Sequence, residues 1–311
     1  MRPREATITI QIRNFRWADI DSYCRLALSI HGPYGWWAAR SVENMREWLG
    51  QPNLHPEQDL FLAFDGHRAV GYLQNSFEPP LARVVLEGAV HSEYHRRGIG
   101  ARLVDASVAL ATDRGYQVVQ MAVPYGALNA RRLALKTGFR FIRKFWEMRL
   151  KDPSTVPAPE MPAPFVLRHF REGDDERLRY IQNLSFSRHW GFSPNTLEEV
   201  AYRTRMGLFR FDDILLVTDG DTTVGFNWTR LDAGPRDITG YIGMMGAHPD
   251  YRGKGLGTAV MRAGVDYLRG KGAARVDLTV DSLNPSAHRI YRAGGFKRQA
   301  VTVWYEKRLK G

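Results

Sequence analysis

The chain has 311 residues, 44% of them hydrophobic and 25% charged, with a formal charge of +11. That is globular composition, too long for one ordinary core and suited to two domains of about 150 residues each, and it excludes a disordered or fibrous chain. No run of 18 apolar residues offers a membrane span, and the start Met1-Arg2-Pro3-Arg4-Glu5 has no apolar signal segment behind it, so a cytoplasmic protein without a membrane partner is expected.

In chain order, the pattern opens with a strand over 8–13, followed by helical stretches that carry the single cysteine, Cys24. One cysteine forms no internal disulfide and makes no zinc cluster, so no metal is expected, and Cys24 reads as a small buried apolar residue. His31-Gly-Pro-Tyr-Gly-Trp36-Trp37 is aromatic and broken by glycine. Asp59–Gly66 and Val70-Gly71-Tyr72 form a strand hairpin around the Asp65-Gly66 turn. A strand over 84–90, carrying Glu87, runs into a glycine-rich turn and then an amphipathic helix over 101–113. Gly115 stops that helix, and a strand over 118–123, a short helix, Gly138-Phe139 and a strand over 141–150 complete the series.

Residues 151–164 hold five prolines in 14 positions, a composition that neither continues a helix nor pairs fully in a sheet, so the segment reads as an extended linker. Beyond it the series repeats at offsets of 154 to 157 residues. Leu167-Arg168-His169-Phe170-Arg171 with Asp174 matches Ile12-Arg13-Asn14-Phe15-Arg16 with Asp19, and Asp213–Gly220 with Val224-Gly225-Phe226 matches the first hairpin. Strands over 165–169, 241–247, 275–280 and 300–309 and a helix over 258–268 complete the second copy. The chain therefore divides into residues 1–150, the linker 151–164 and residues 165–311, each copy a mixed α/β sheet.

Charge is spread over both copies. Residues 1–150 hold 20 Lys and Arg against 14 Asp and Glu, and the remainder 24 against 19, which argues against a nucleic-acid arm and suits an anionic small molecule. Nothing in the pattern sets an oligomeric state.

The strand, glycine turn and helix order is the most informative feature. Glycines let backbone approach a ligand, and the free N–H groups of a first helical turn form an anion site suited to a pyrophosphate. The turns are His95-Arg96-Arg97-Gly98-Ile99-Gly100 and Arg252-Gly253-Lys254-Gly255-Leu256-Gly257. Neither is a P-loop, which needs GxxxxGK[ST], and neither supplies the third glycine of the dinucleotide fingerprint.

Arg252-Gly-Lys-Gly255-Leu-Gly257, preceded by Gly246-Ala-His-Pro249, resembles the [Q/R]-x-x-G-x-[G/A] signature of the GNAT N-acetyltransferase superfamily. Asn284, Ala287, Ile290-Tyr291 and Gly295-Phe296 resemble its second motif, and the tandem arrangement resembles the mycothiol synthase family. The resemblance implies two acyl-CoA N-acyltransferase domains, each a mixed, mostly antiparallel sheet flanked by helices, with acetyl-CoA as donor and an amine, small-molecule in size, as acceptor. It implies that Met245, Gly246, Ala247, Arg252 to Thr258 and Asn284 hold the CoA in the second copy. Arg97, Gly98, Ile99, Gly100 and Ala101 are their counterparts in the first. It also implies that Tyr291 is the general acid to the leaving thiolate.

The copies differ where the chemistry lies. Four residues before Gly138 stands Ala134, where four before Gly295 stands Tyr291, and Asn129 is two residues too close to its Gly-Phe to match Asn284. An active second copy and a catalytically degenerate first copy are expected. An amine with a pKa near 10 must lose a proton before attack, so a base is needed. Many relatives carry Glu on the strand before the glycine turn, and here the matching position is Tyr241. His248, Asp281, Tyr241 or a water chain stay open as bases. His189 and Trp190, in a second aromatic segment, and Tyr241 are the acceptor-side candidates; aromatic residues suit a pocket wall and a packed core alike. The alternative to an enzyme is a CoA-binding sensor without turnover; a nucleic-acid binder is the third reading and the least favoured.

Overall fold

The computed structural model describes residues 9–32, 41–234 and 236–309. The chain divides into two compact units, Met1–Ile142 with Trp304–Gly311, and Arg143–Val303.

The first unit contains β1 (Ile10–Asn14), α1 (Ile20–His31), α2 (Val42–Leu49), α3 (Pro56–Asp59), β2 (Leu60–Asp65), β3 (Arg68–Glu78), β4 (Arg83–Val90), α4 (Ile99–Asp113), β5 (Val118–Pro124) and α5 (Leu128–Lys136). Its strands lie in the order β1-β2-β3-β4-β5. Only β4 and β5 pair in parallel, and α4 supplies the long crossover that a parallel pair needs.

The second unit takes most of β6 (Arg140–Leu150) and then β7 (Val166–His169), α6 (Asp175–Phe186), α7 (Leu197–Thr204), β8 (Ile214–Asp219), β9 (Thr222–Ala233) and β10 (Ile238–Ala247). It continues with α8 (Leu256–Gly270), β11 (Ala273–Asp281), α9 (Pro285–Ala293) and the first part of β12 (Lys297–Arg308). Strand order is β6-β11-β10-β9-β8-β7, with β10 and β11 parallel and the other pairs antiparallel.

Local chemistry explains the elements. Leu256, Ala259, Val260, Ala263, Val265 and Leu268 recur at helical spacing and put the apolar face of α8 in the core. Thr196 and Glu199 close a reciprocal capping box at the start of α7. The hairpin turns place Gly66 at φ +56° and Gly220 at φ +54°, where a side chain is disfavoured. The repeat extends to side-chain contacts. Arg13 grips Asp19 at 2.6 and 2.8 Å and Arg168 grips Asp174 at the same distances, while Tyr94 and Tyr251 donate to Asp65 and Asp219.

The boundaries differ from the sequence expectation at one strand in each copy. Phe145–Leu150, expected in the first copy, pairs antiparallel with Val276–Asp281 of the second unit. Trp304–Gly311 is counted with the first unit, where Lys307 donates to the Thr137 carbonyl and Leu309 to that of Gln117. A strand's apolar pattern states that it pairs, not with which sheet. No helix among the described residues is long and apolar enough to cross a membrane.

Candidate active site

The site of the second unit starts from a break in its sheet. β10 pairs with β11 only from Ile238 to Ile242, ending at Ile242↔Leu278. Its register against β9 then shifts between Ile242 and Met244, so Gly243 is a bulge residue. Met244, Met245, Gly246 and Ala247 stay paired to β9, while β11 turns to β6. Between the parted strands lies an open backbone edge, which can pair with an extended ligand arm. In the first unit β3 and β4 stay in register from Arg83 to Val90 without a bulge.

The glycine turn follows. Gly253 has φ +80° and Gly255, the N-cap of α8, φ +79°, so both occupy the left-handed region. A β-carbon on Gly255 would meet only Pro162 Cγ at 3.7 Å, so the turn is open on its outer side. The amides at the start of α8 have no partner within the helix, as helix geometry requires. Arg252 donates to the Ser185 carbonyl at 3.0 Å, and Lys254 lies over the Tyr251 ring. Leu256 is buried, and Thr258 donates its N–H to Gly255. Gly246 and Gly257 are glycine for lack of space: a β-carbon on Gly246 would lie 2.6 Å from Ser185 Cβ, and one on Gly257 2.9 Å from Ile290 Cδ1. This set of donors and open edge fits acetyl-CoA, with a turn for the pyrophosphate and a free strand edge for the amide-bearing arm.

α9 brings Tyr291 to the same place. Tyr291 is buried in the apolar cluster that holds Ile242 and Leu278, the last residues paired before the strands part. Burial pushes its phenol up to about 12, so it keeps its proton through the neutral range. Asn284 caps α9 by accepting from Ala287 N–H at 3.1 Å, and its amide nitrogen stands 3.5 Å from His189 Nε2. Burial lowers the His189 pKa, opposed by Asp281 and assisted by Arg252 and Arg143, so the imidazole is neutral at pH 7. Trp190 lies under the Arg143 guanidinium, 5.3 Å from its centroid, with Phe145 on another side.

Two base candidates are already engaged. Asp281 Oδ2 accepts from Arg143 Nε at 2.9 Å and Nη2 at 2.6 Å, and its Oδ1 accepts from Leu283 N–H. His248 caps the turn after β10 by accepting from Asp250 N–H at Nδ1, and its Nε2 lies 3.4 Å from Tyr180 Oη. His91 makes the matching cap to Glu93 N–H in the first unit, so this histidine belongs to the turn in both copies.

Tyr241 opens a different view. It lines a cavity of about 520 Å³ together with residues of β6, β9, β10 and β11, Gln182 of α6, Arg203 of α7 and Phe209. Cross-strand register puts Arg149, Asp277, Tyr241 and Arg230 in one row over four strands. Arg149 grips Asp277 by two 2.7 Å hydrogen bonds, and Arg230 lies over the Tyr241 ring at 4.7 Å. Burial first, then Asp277 and Asp232, raise the Tyr241 pKa. Two residues nearer the parted strands come Glu147 and its partner Thr279, and Gly243 and Trp228 line the same cavity. The sequence reading passed over Glu147, Arg149, Arg230 and Asp277. A glycine inside the β10 pattern was the available signal for a bulge.

The first unit lacks the matching groups. Ala134 is fully buried at the position of Tyr291, and α5 starts at Ala127 with no side-chain cap. Gly98 (φ +78°) and buried Ile99 keep the turn at the start of α4, with Gly100 close to Leu133 and Ala101 following in the first turn. Arg96, however, takes φ +63° where the second unit has Gly253, and Arg97 folds over Tyr94. Tyr34, Trp36 and Trp37 lie outside the described residues.

Comparison with known proteins agrees with this geometry. The acetyltransferase (GNAT) family model matches residues 20–139 and again 176–296. A mycothiol acetyltransferase of Thermobispora bispora is 34% identical over 254 residues, covering 80% of this chain and 83% of that protein. One from Saccharopolyspora erythraea is 32% identical over 266 residues, with 80% and 86% covered. Among solved structures, a GCN5-related N-acetyltransferase from Sphaerobacter thermophilus superposes with TM-score 0.72 at 26% identity, covering 97% of this chain and 96% of its own. A tandem GNAT protein from the clavulanic acid biosynthesis pathway shares the fold, with TM-score 0.75 at 17% identity over 97% and 99% of the two chains. With the family pattern present in both copies, the chain is an N-acetyltransferase and belongs to the GNAT family.

Proposed function

We propose that the second unit transfers an acetyl group from acetyl-CoA to the nitrogen of a small amine, and that the first unit has lost this chemistry. The parting of β10 from β11 at the Gly243 bulge carries this reading, because it sets an open backbone edge beside both the glycine turn and a cavity that holds two carboxylates and three arginines. Acetyl-CoA supplies an acetyl group already activated as a thioester. Arg252, Lys254 and the amides at the start of α8 bind its pyrophosphate, and backbone groups of Met244–Ala247 pair with its extended arm. Amide donors on that edge also oppose negative charge developing on the carbonyl oxygen. Tyr291 gives its proton to the departing sulfur. The acceptor enters the cavity lined by Tyr241, and the relatives named for mycothiol, a small molecule, support an acceptor of that size. His189 and Trp190, outside the lining of that cavity, hold the turn into α9 through Asn284 and Arg143.

Calorimetric titration of the full chain with acetyl-CoA tests this reading, together with turnover of Tyr291→Phe on a panel of primary amines. One site per chain, and a kcat about 100-fold lower in the variant at unchanged acetyl-CoA affinity, are expected. Full turnover without the phenol, or no binding up to millimolar ligand, would overturn it.

A further inference from the structure

We infer that Glu147 is the general base of the second unit and the group that receives the acceptor's ammonium. This rests on the acetyltransferase reading of that unit and assigns the step that β10 leaves open, since Tyr241 stands where a carboxylate would be expected on that strand.

Three observations converge on Glu147. The first is position. Glu147 of β6 is paired with Thr279 of β11, one residue beyond the last β10–β11 pair at Leu278, so it lies in the row where the strands separate. Gly243 contributes no side chain to that row, which leaves room in front of the carboxylate. Tyr241 and Asp277 sit two residues back along their strands, about 7 Å farther from the opening.

The second is charge. Two carboxylates line the cavity. Asp277 is neutralised by its two-point pair with Arg149. Glu147 makes no ion pair among the described residues; it accepts one hydrogen bond, from Thr302 Oγ1 to Oε1 at 2.8 Å. That bond fixes the side chain and leaves Oε2 to the cavity. Arg149, Arg203 and Arg230 on the same walls are paired with Asp277, Glu199 and Asp232, not with Glu147. Asp281 and His248, by contrast, spend their lone pairs on Arg143, Leu283 and Asp250.

The third is the internal control. The first unit, without the tyrosine, also lacks this carboxylate. An offset of 157 residues takes Asp277 to Gln120 and Arg149 to Glu306, which are hydrogen-bonded at 2.8 Å, and takes Glu147 to Trp304. The tyrosine and the β6 carboxylate are absent from the first unit together, while that unit keeps Glu87 on β4.

The step balances. Glu147 takes one proton from the ammonium, and the freed nitrogen lone pair forms the C–N bond at the acetyl carbonyl. The C–S bond breaks with its electron pair on sulfur, and Tyr291 protonates that sulfur to the thiol. The second proton on nitrogen returns to Tyr291 through water, and Glu147 releases its own to solvent. The products are an N-acetylated amine, CoA and one proton.

The test uses the full chain and the fastest acceptor from the primary-amine panel. A base that removes the ammonium proton is dispensable when bulk solution has already done so. Glu147→Gln should therefore lower kcat/KM about 100-fold at pH 7, with the loss shrinking about tenfold per pH unit up to the acceptor's pKa. An α-amine with pKa near 8 should be affected far less than an alkylamine near 10. Thr302→Val removes the hydrogen bond that fixes the carboxylate and should lower kcat/KM with the same dependence on pH and on the amine, to a smaller extent, which keeps the inference testable if Glu147→Gln does not fold. Unchanged turnover in Glu147→Gln, or a loss equal at every pH and for both amines, would overturn the assignment while leaving the acetyltransferase reading in place. If the wild-type chain acetylates nothing on the panel, both fall together.

Discussion

Arg143 and Asp281 form a two-point ion pair at the turn into α9, with Nε and Nη2 of the guanidinium both reaching Oδ2. Asp281 is buried and Arg143 partly exposed. The carboxylate thus holds β6 against the end of β11 and orients the turn that Asn284 caps. Asp281→Asn should cost about 2–4 kcal/mol, less than a fully buried pair because Arg143 reaches water, and should lower the melting temperature and kcat. The acid limb of kcat/KM should stay where it is. Its disappearance in this variant would make Asp281 the base instead.

His189 gives a prediction with a definite sign. Its folded-state pKa is lowered, chiefly by burial, while the unfolded chain protonates this ring near pH 6.5. Below about pH 6.5 the unfolded state therefore binds more protons than the folded state, and stability falls as pH falls. The neutral ring's contribution is full above that pH. In melting curves from pH 8 to 5, the advantage of wild type over His189→Gln should be level at the alkaline end and shrink on acidification. An advantage that grows toward pH 5 would mean that the folded ring is charged.

Gly257 tests how tightly Tyr291 is positioned. The first turn of α8 passes so close to α9 that a β-carbon on Gly257 would lie 2.9 Å from Ile290 Cδ1, next to Tyr291. Gly257→Ala should cost no more than about 1 kcal/mol, because the Ile290 Cδ1 methyl can turn aside, and should lower kcat modestly through the shift next to Tyr291. Ile290→Val removes the obstructing carbon, so the double variant should recover most of both losses. Rapid turnover assays with thermal melts check this; full activity in Gly257→Ala alone would show that α9 yields without moving its tyrosine.

The parts of this site that were legible in the sequence were local. Glycines at Gly253 and Gly255 announce a left-handed turn before an apolar-faced helix, Asn284 announces a cap, and Tyr291 against Ala134 separates the two copies. Each follows from residues within a few positions of one another. Glu147 and Arg149 were not legible, because the strand that carries them pairs with β11 residues 126 or more positions away. An alternating strand pattern fixes which face is buried and leaves its partner open. The second motif's tyrosine could be found by spacing; a base presented from β6 needs the sheet order. For the same reason Asp281 and His248 looked available in the sequence, and only their partners, Arg143 and the Asp250 amide, show them occupied.

Arg96 and Gly253 stand at matching places before the two glycine-capped helices, with φ +63° and +80°. A side chain in that region costs about 1 kcal/mol, which glycine avoids. Arg96→Gly should therefore stabilise the full chain by about 0.5–1 kcal/mol, read as a raised melting temperature, with kcat unchanged. The paired test uses valine at the two caps. At Gly255 it should raise the KM for acetyl-CoA at least tenfold, because the branched side chain strains the turn and fills its open side. At Gly98 the same change should leave both kinetic constants as they were. Equal damage from the two valines would show that the first unit still binds a CoA that turnover depends on.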